Sequence, residues 1–248
     1  MSYRPTISVC LAAYNGERYI AEQLRSILFQ LSLGDEVIVV DDASTDKTCD
    51  VVSSVRDPRL VLIRGSENQG VLRTFETALS CSSGEIVFLS DQDDIWLPKK
   101  VETVLAAFNH NPGLTLVASD ALLIDENGNQ IGASYYETRG KFQAGLWANI
   151  LICKFLGCTM AFRSKLLRDA LPFPRSEHVY HDIWLACVNS LNGGTTEFIA
   201  QPLVAYRRHD ANVTGRVRFS NYKRIQMRWQ LLLALLDFRV NRWRRKPR

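Results

Sequence analysis

The sequence predicts an α/β fold with a mostly parallel central sheet covered by helices on both faces. Three observations carry that expectation. Short, wholly apolar runs such as 37–40 and 86–89 recur through the first half of the 248-residue chain, and strands of that kind are buried on both faces, as parallel strands are. Between them, apolar residues repeat at helical spacing. Each of several runs gives way to polar residues at its carboxyl end, at Tyr14-Asn15, Asp41-Asp42 and Asp91-Gln92-Asp93, which is where open α/β sheets collect ligands.

Taken in order, residues 6–12 read as the first strand, and Tyr14-Asn15-Gly16 turns the chain. Ile20, Leu24, Ile27 and Leu28 mark one face of a helix. Residues 37–40 form the second strand, after which Ser44 or Thr45 caps a helix carrying Val51, Val52 and Val55. A third strand at 60–63 precedes a helix that opens at Asn68-Gln69-Gly70 and runs through Phe75 and Leu79. The fourth strand, 86–89, is followed by a helix over 99–108 and a fifth strand at 114–118. Further on, Asn127-Gly128 between two apolar segments predicts a hairpin. Helices are expected over 147–155, 164–170 and 182–191, and strands over 157–162 and 198–206. His110, in Asn109-His110-Asn111-Pro112, is read as an inert turn residue.

A composition of 46% hydrophobic and 23% charged residues suits one sizeable domain with a core of its own. Charge is unevenly placed. Residues 216–248 hold eleven Lys/Arg against one acid, Asp237, for a net +10 within a total of +4. The expected division is therefore an acidic body, 1–215, and a basic helical tail, 216–248. In the tail Ile225, Trp229, Leu232, Leu236, Val240 and Trp243 follow helical spacing among arginines. Such a helix suits an anionic membrane surface, and packing on the body or on another subunit is the competing reading. No nucleic-acid motif accompanies it. The six cysteines show no zinc spacing and read as reduced thiols. No leader is read at the start, and the apolar run 231–236 is far short of the roughly 20 residues that span a bilayer. Cytoplasmic placement, peripheral on the inner face of the cell membrane, is the expectation. No Gly-x-Gly-x-x-Gly follows the first strand and no Gly-Lys-Ser/Thr loop exists, which disfavours a dinucleotide dehydrogenase or a P-loop enzyme.

The run Ser90-Asp91-Gln92-Asp93-Asp94 stands directly after a buried strand. Carboxylates there are costly to leave unpaired, and one hard divalent cation held by Asp91 and Asp93 is the simplest partner. Such an ion commonly holds phosphate oxygens as well. The alternative is that these are loop acids, with Asp94 at a helix N-terminus.

Six segments occur in one order: Val9-Cys10-Leu11-Ala12-Ala13-Tyr14-Asn15-Gly16-Glu17, Val40-Asp41-Asp42-Ala43-Ser44-Thr45-Asp46, Glu67-Asn68-Gln69-Gly70, Ser90-Asp91-Gln92-Asp93-Asp94-Ile95-Trp96, His181-Asp182-Ile183-Trp184-Leu185 and Tyr206-Arg207-Arg208-His209. Together they resemble the inverting glycosyltransferases of family 2, with the GT-A fold, and most closely the bacterial rhamnosyltransferase-like members. The resemblance implies a transferase moving a sugar, with dTDP-rhamnose favoured, from a nucleoside-diphosphate sugar to a hydroxyl of a glycan or lipid-linked acceptor in surface polysaccharide synthesis. A UDP-hexose or UDP-N-acetylhexosamine donor, or a non-catalytic glycan-binding member, is the alternative. It implies donor contacts from Ala13, Tyr14, Glu17, Asp41, Asp42, Asn68, Gly70, Asp91, Gln92 and Arg208. Asp93 would hold Mg²⁺ or Mn²⁺. His209 would reach the metal or the diphosphate, or else be a solvated loop residue. Arg207 and Arg208 would meet phosphate or be exposed. Asp182 would be the base, its plainer reading being a helix cap, and His181 and Trp184 would face the acceptor. Many family members carry Glu where His181 stands.

Overall fold

The computed structural model describes residues 3–152, 154–176, 178–209 and 220–245, and the side chains of these except 139 and 241–245. Its parallel half is as the sequence predicts. β1 (Ile7–Ala13) is buried at every position. It runs parallel to β2 (Glu36–Asp41) on one side and β4 (Ile86–Asp91) on the other, with β3 (Leu60–Arg64) beyond β2. Side chains alternate across a strand, so β1 feeds two cores. Ile7, Val9 and Leu11 pack with α1 (Ile20–Leu28) and α4 (Lys100–His110), while Cys10 and Ala12 pack with α3 (Val71–Cys81). Large buried side chains such as Phe75, Phe88 and Phe108 each contribute on the order of 2–3 kcal/mol by leaving water. The helix α2 (Thr48–Ser54) completes the returns between strands. The register sets Ala13 beside Asp41 and Ala12 beside Asp91, which lines the polar strand ends along one edge of the sheet.

The second half departs more from expectation. Beyond β4 the sheet continues with β8 (Met160–Arg163), antiparallel to its neighbours, then β6 (Leu114–Ile124), β9 (Thr195–Arg207) and the short β5 (Ile95–Trp96). β6 and β9 are parallel to each other. The strand expected at 114–118 and the first arm of the expected hairpin are one long strand, because β8, β9 and β7 (Gln130–Ser134) pair with successive parts of it. The α5 helix (Tyr135–Arg139), unforeseen, starts with a Ser134–Glu137 capping box. The helix expected at 147–155 is α6 (Leu146–Ile152), and the strand expected at 157–162 begins with a 3₁₀ turn, Gly157–Thr159. A second 3₁₀ turn, Ser164–Leu166, leads into α7 (Leu167–Ala170). His110 is the exposed last residue of α4, not a turn residue.

Two capping expectations fail for local reasons. Asp94 is fully buried ahead of β5, and α4 starts after Lys99, which has a left-handed φ of 68°. Ser44 does not cap α2, whose start is Lys47; its amide and hydroxyl go to the Asp41 carboxylate. The last helices are α8 (His181–Leu191) and α9 (Asn221–Arg245). α9 sends Leu231 and Leu235 into the core shared by α3 and α8, and Phe238 meets the Trp184 ring edge-on. The Trp243 side chain lies outside the described residues.

Candidate active site

The loops after β1 and β2 are laced together by their own polar side chains. The Asn15 amide donates to the Ser44 hydroxyl oxygen at 2.9 Å, and the Asn15 side-chain oxygen accepts from the Thr45 amide at 2.8 Å. Glu17 accepts from the Lys47 amide at 2.9 Å. Asp41 is spent on Ser44. Both Asp42 oxygens accept backbone amides, from Gln69 at 2.8 Å and Gly70 at 2.9 Å. Gly70 has a φ of +82° and opens α3, a conformation that suits glycine. Gln92 fastens the acid loop to the β1 loop by a two-way bond with the Tyr14 backbone, each arm 2.8 Å. The Tyr14 side chain and Asn68 stay exposed. One crevice thus has walls from the ends of β1, β2 and β4 that hold one another in place.

Its floor is a concentration of carboxylates. Asp91 is pushed up to about 7, first by burial and then by the charges of Asp93 and Asp182. Those causes place all three acids in one neighbourhood, although Asp182 stands far along the chain at the start of α8. Asp94 is shifted well up by burial and by Asp93 and Asp91; one of its oxygens accepts from the Arg207 amide at 3.0 Å and the other has no hydrogen-bond partner. Burial raises Asp182 to about 6 against the opposing pull of the Ile183 amide, 2.7 Å away. A carboxyl held near neutrality beside other acids suits proton uptake.

Asp93 lies 2.8 Å from His209 Nε2, and the His209 ring stacks on Tyr19 with centroids 5.2 Å apart. Ligand atoms of Asp91, Asp94 and Cys158 also lie within 4.8 Å of one another. Burial drives the Cys158 thiol well up, so it stays protonated and is a poor ligand for a hard ion. Carboxylate oxygens of Asp91 and Asp94, and the Asp93–His209 pair beside them in the chain, are donor types that suit a hard divalent ion.

Three sequence expectations change. Arg207 is buried rather than exposed or offered to phosphate. Its guanidinium donates to the Asp93 carbonyl at 2.8 Å and to Glu22 at 2.7 Å, and lies 4.7 Å from the Tyr19 ring centre. Arg208 continues the ladder through its amide to Ile124 and is half-buried. Trp184 is 3% exposed, with its indole N–H donated to the Ala170 carbonyl, so it shows no face to an acceptor. His181 is likewise buried, stacked on Phe75 at 4.0 Å. Both its nitrogens lack partners, and burial lowers it to about 3. It is packed in the core between Phe75 and Gly157 rather than offered to an acceptor.

The sequence reading passed over Tyr19 and Lys100, and took Cys158 only as a reduced thiol, which it is. Lys100 is wholly buried, donates to the Cys158 carbonyl at 2.9 Å and sits over Trp96; burial lowers it to about 8. A lysine opening an amphipathic helix gives no sign of this, whereas Tyr19, next to the Tyr14–Glu17 segment, could have been noticed. Gly157 exposes how tightly His181 is held. A Cβ there would stand 2.6 Å from His181 Nε2. Gly157→Ala should therefore cost about 1–3 kcal/mol in a denaturant melt. Gly34→Ala, where a Cβ meets nothing within 4 Å, serves as the control and should show no such loss.

The family model for glycosyl transferase family 2 matches residues 8–171, the stretch that carries β1 to β4 and the acid loop. The chain belongs to glycosyl transferase family 2. Asp182 and His209 lie beyond the matched stretch. An uncharacterized glycosyltransferase of Haemophilus influenzae is 28% identical over 226 residues, covering 86% of this chain and 68% of that protein. An Escherichia coli protein, UDP-Glc:alpha-D-GlcNAc-diphosphoundecaprenol beta-1,3-glucosyltransferase WfgD, is 24% identical over 231 residues, covering 91% of this chain and 85% of its own. Among solved structures, S. aureus TarS 1-349 in complex with UDP-GlcNAc superposes with a TM-score of 0.74 at 22% identity, covering 93% of this chain and 66% of TarS 1-349. The family 2 chain thus has the GT-A fold and spans about two thirds of the length of the H. influenzae relative and of TarS 1-349.

Proposed function

We propose that this chain is an inverting, metal-dependent glycosyltransferase that moves a sugar from a nucleoside-diphosphate sugar to a hydroxyl of a glycan or lipid-linked acceptor in bacterial surface polysaccharide synthesis. The observation that carries the reading is the gathering of Asp91, Asp93 and Asp182 at the carboxyl end of the parallel strands. Asp182, half-buried and raised to about 6, takes the acceptor hydroxyl's proton as its oxygen attacks the anomeric carbon. The bond from that carbon to the diphosphate breaks, and the nucleoside diphosphate leaves with the electron pair on the opposite face, so the configuration inverts. Asp93 and His209 would hold Mg²⁺ or Mn²⁺, and the ion when bound would supply positive charge to offset that on the leaving diphosphate. Ala13, Tyr14, Glu17, Asp41, Asp42, Asn68, Gly70, Gln92 and Arg208 shape the donor pocket, with Asp42 toward the base and Asp91 toward ribose and phosphate.

For the donor, Asp-Gln-Asp-Asp-Ile-Trp with His-Asp-Ile-Trp favours dTDP-rhamnose. A UDP-hexose is the second reading, favoured by the UDP-Glc named for WfgD. A thermal-shift panel of dTDP-rhamnose, UDP-glucose, UDP-galactose and UDP-GlcNAc, each with and without Mn²⁺, separates them. One sugar nucleotide should raise the melting point only with metal, since a ligand at a hundred times its Kd stabilises by about 2.7 kcal/mol. No metal-dependent shift with any donor would end the proposal.

A further inference from the structure

α9 carries two apolar faces, and only one is used by the fold. Leu231 and Leu235 enter the core. On the opposite side Ile225, Trp229, Leu233 and Leu236, spaced by three or four residues, are 67%, 61%, 49% and 60% exposed. Leu233 lies in that stripe where the sequence reading put Leu232, which is half-buried against the core. A second element continues the surface. α6 shows Trp147, 68% exposed, and Leu151, 58% exposed, and Arg228 of α9 donates to the Leu151 carbonyl at 2.8 Å, so the two helices are joined there. Arg224 and Arg239 are exposed before and after these residues in the chain, with exposed Asp237 between them, in a segment whose sequence carries a net +10.

We propose that α9 and α6 together form a membrane-contact face that seats the protein on an anionic phospholipid bilayer. Charge decides the occupant. Tryptophans in an apolar stripe within a segment of net +10 match the headgroup boundary of an anionic leaflet, whereas two copies of so basic a segment repel each other. No helix among the described residues is long and apolar enough to cross a membrane. α9, about 37 Å long by its rise per residue, lies along the surface, its apolar stripe among the acyl chains and its arginines at the lipid phosphates. The Trp147 corner ties this face to α6 and so to the segment leading to Gly157 and His181.

The proposal concerns lipid binding alone and needs no sugar nucleotide, so its failure and that of the transfer reaction are separable. The whole chain is sedimented with phosphatidylcholine vesicles and with vesicles containing about one third phosphatidylglycerol. Binding should favour the anionic vesicles and weaken as salt rises. Trp229→Ser and Trp147→Ser should each reduce partitioning roughly tenfold with circular dichroism unchanged. The pair Arg224→Glu and Arg239→Glu reads the same face through charge should a tryptophan variant fail to fold. Absence of binding to anionic vesicles overturns the proposal, as does binding that both tryptophan variants leave intact. A dimer dispersed by Trp229→Ser, without vesicle binding, would assign the face to a second copy and overturn it equally.

Discussion

Asp182→Asn should abolish sugar transfer and leave the fold standing. Asparagine keeps an oxygen for the Ile183 amide that Asp182 now accepts, so the first turn of α8 survives, but it takes up no proton. A positioned base is worth roughly 10²–10⁴-fold in rate, and the variant should fall by that much in a transfer assay. With the wild type, burial raises Asp182 from 3.8 to about 6, so kcat/KM should drop on the acid side of pH 6 as the carboxylate takes its proton too early. The same shift has a stability consequence of definite sign. A carboxyl raised on folding favours the folded state below its unfolded value and loses that contribution as pH rises through its folded one. Ionised Asp182 therefore weakens the fold at pH 7.5, and Asp182→Asn should melt higher there, with the advantage gone near pH 4. Wild-type transfer by Asp182→Asn would remove it as the base.

Asp93→Asn should erase metal dependence. The variant keeps the size of the side chain but gives up the charge that pairs with an ion beside His209. Neutralising a leaving diphosphate is worth several kcal/mol, so transfer should fall roughly a hundredfold or more, and Mn²⁺ should no longer support a donor-induced thermal shift. His209→Ala should give a smaller loss that added Mn²⁺ partly restores. Glu126→Gln, at an exposed pair with Arg18, is the control. Full activity of Asp93→Asn in a chelator would exclude the assigned metal ligand.

The legible part of the chain is the part where local pattern and burial agree. β1, β2 and β4 are mostly apolar because both their faces are covered, and their carboxyl ends turn polar because they meet the crevice; one cause produces both signals. Past residue 114 that agreement lapses. β6 reads as two strands because Asp120 interrupts it, yet Asp120 is buried and takes the Ser134 hydroxyl and the Tyr136 amide, bonds that no window of sequence displays. Arg207 and Trp184 look like site residues because they stand in site motifs. The Asp93 and Ala170 carbonyls they bond are backbone atoms, which leave no residue type to read, and Glu22, the carboxylate that also takes Arg207, stands 185 residues away. Lys100, and the place of the reduced thiol Cys158 beside Asp94, escaped notice because only the tertiary fold brings them there.

Arg207 sets an order of events in synthesis. Its side chain clasps the Asp93 carbonyl across 114 residues and Glu22 across 185, and its amide holds Asp94. A ribosome delivers residues in sequence, and contacts of such long separation close last. The crevice walls can form from the first hundred residues, but the acid loop gains its clasp only when β9 is laid down. A nascent chain halted before that strand would own every acid of the loop and lack the fastening that aims them.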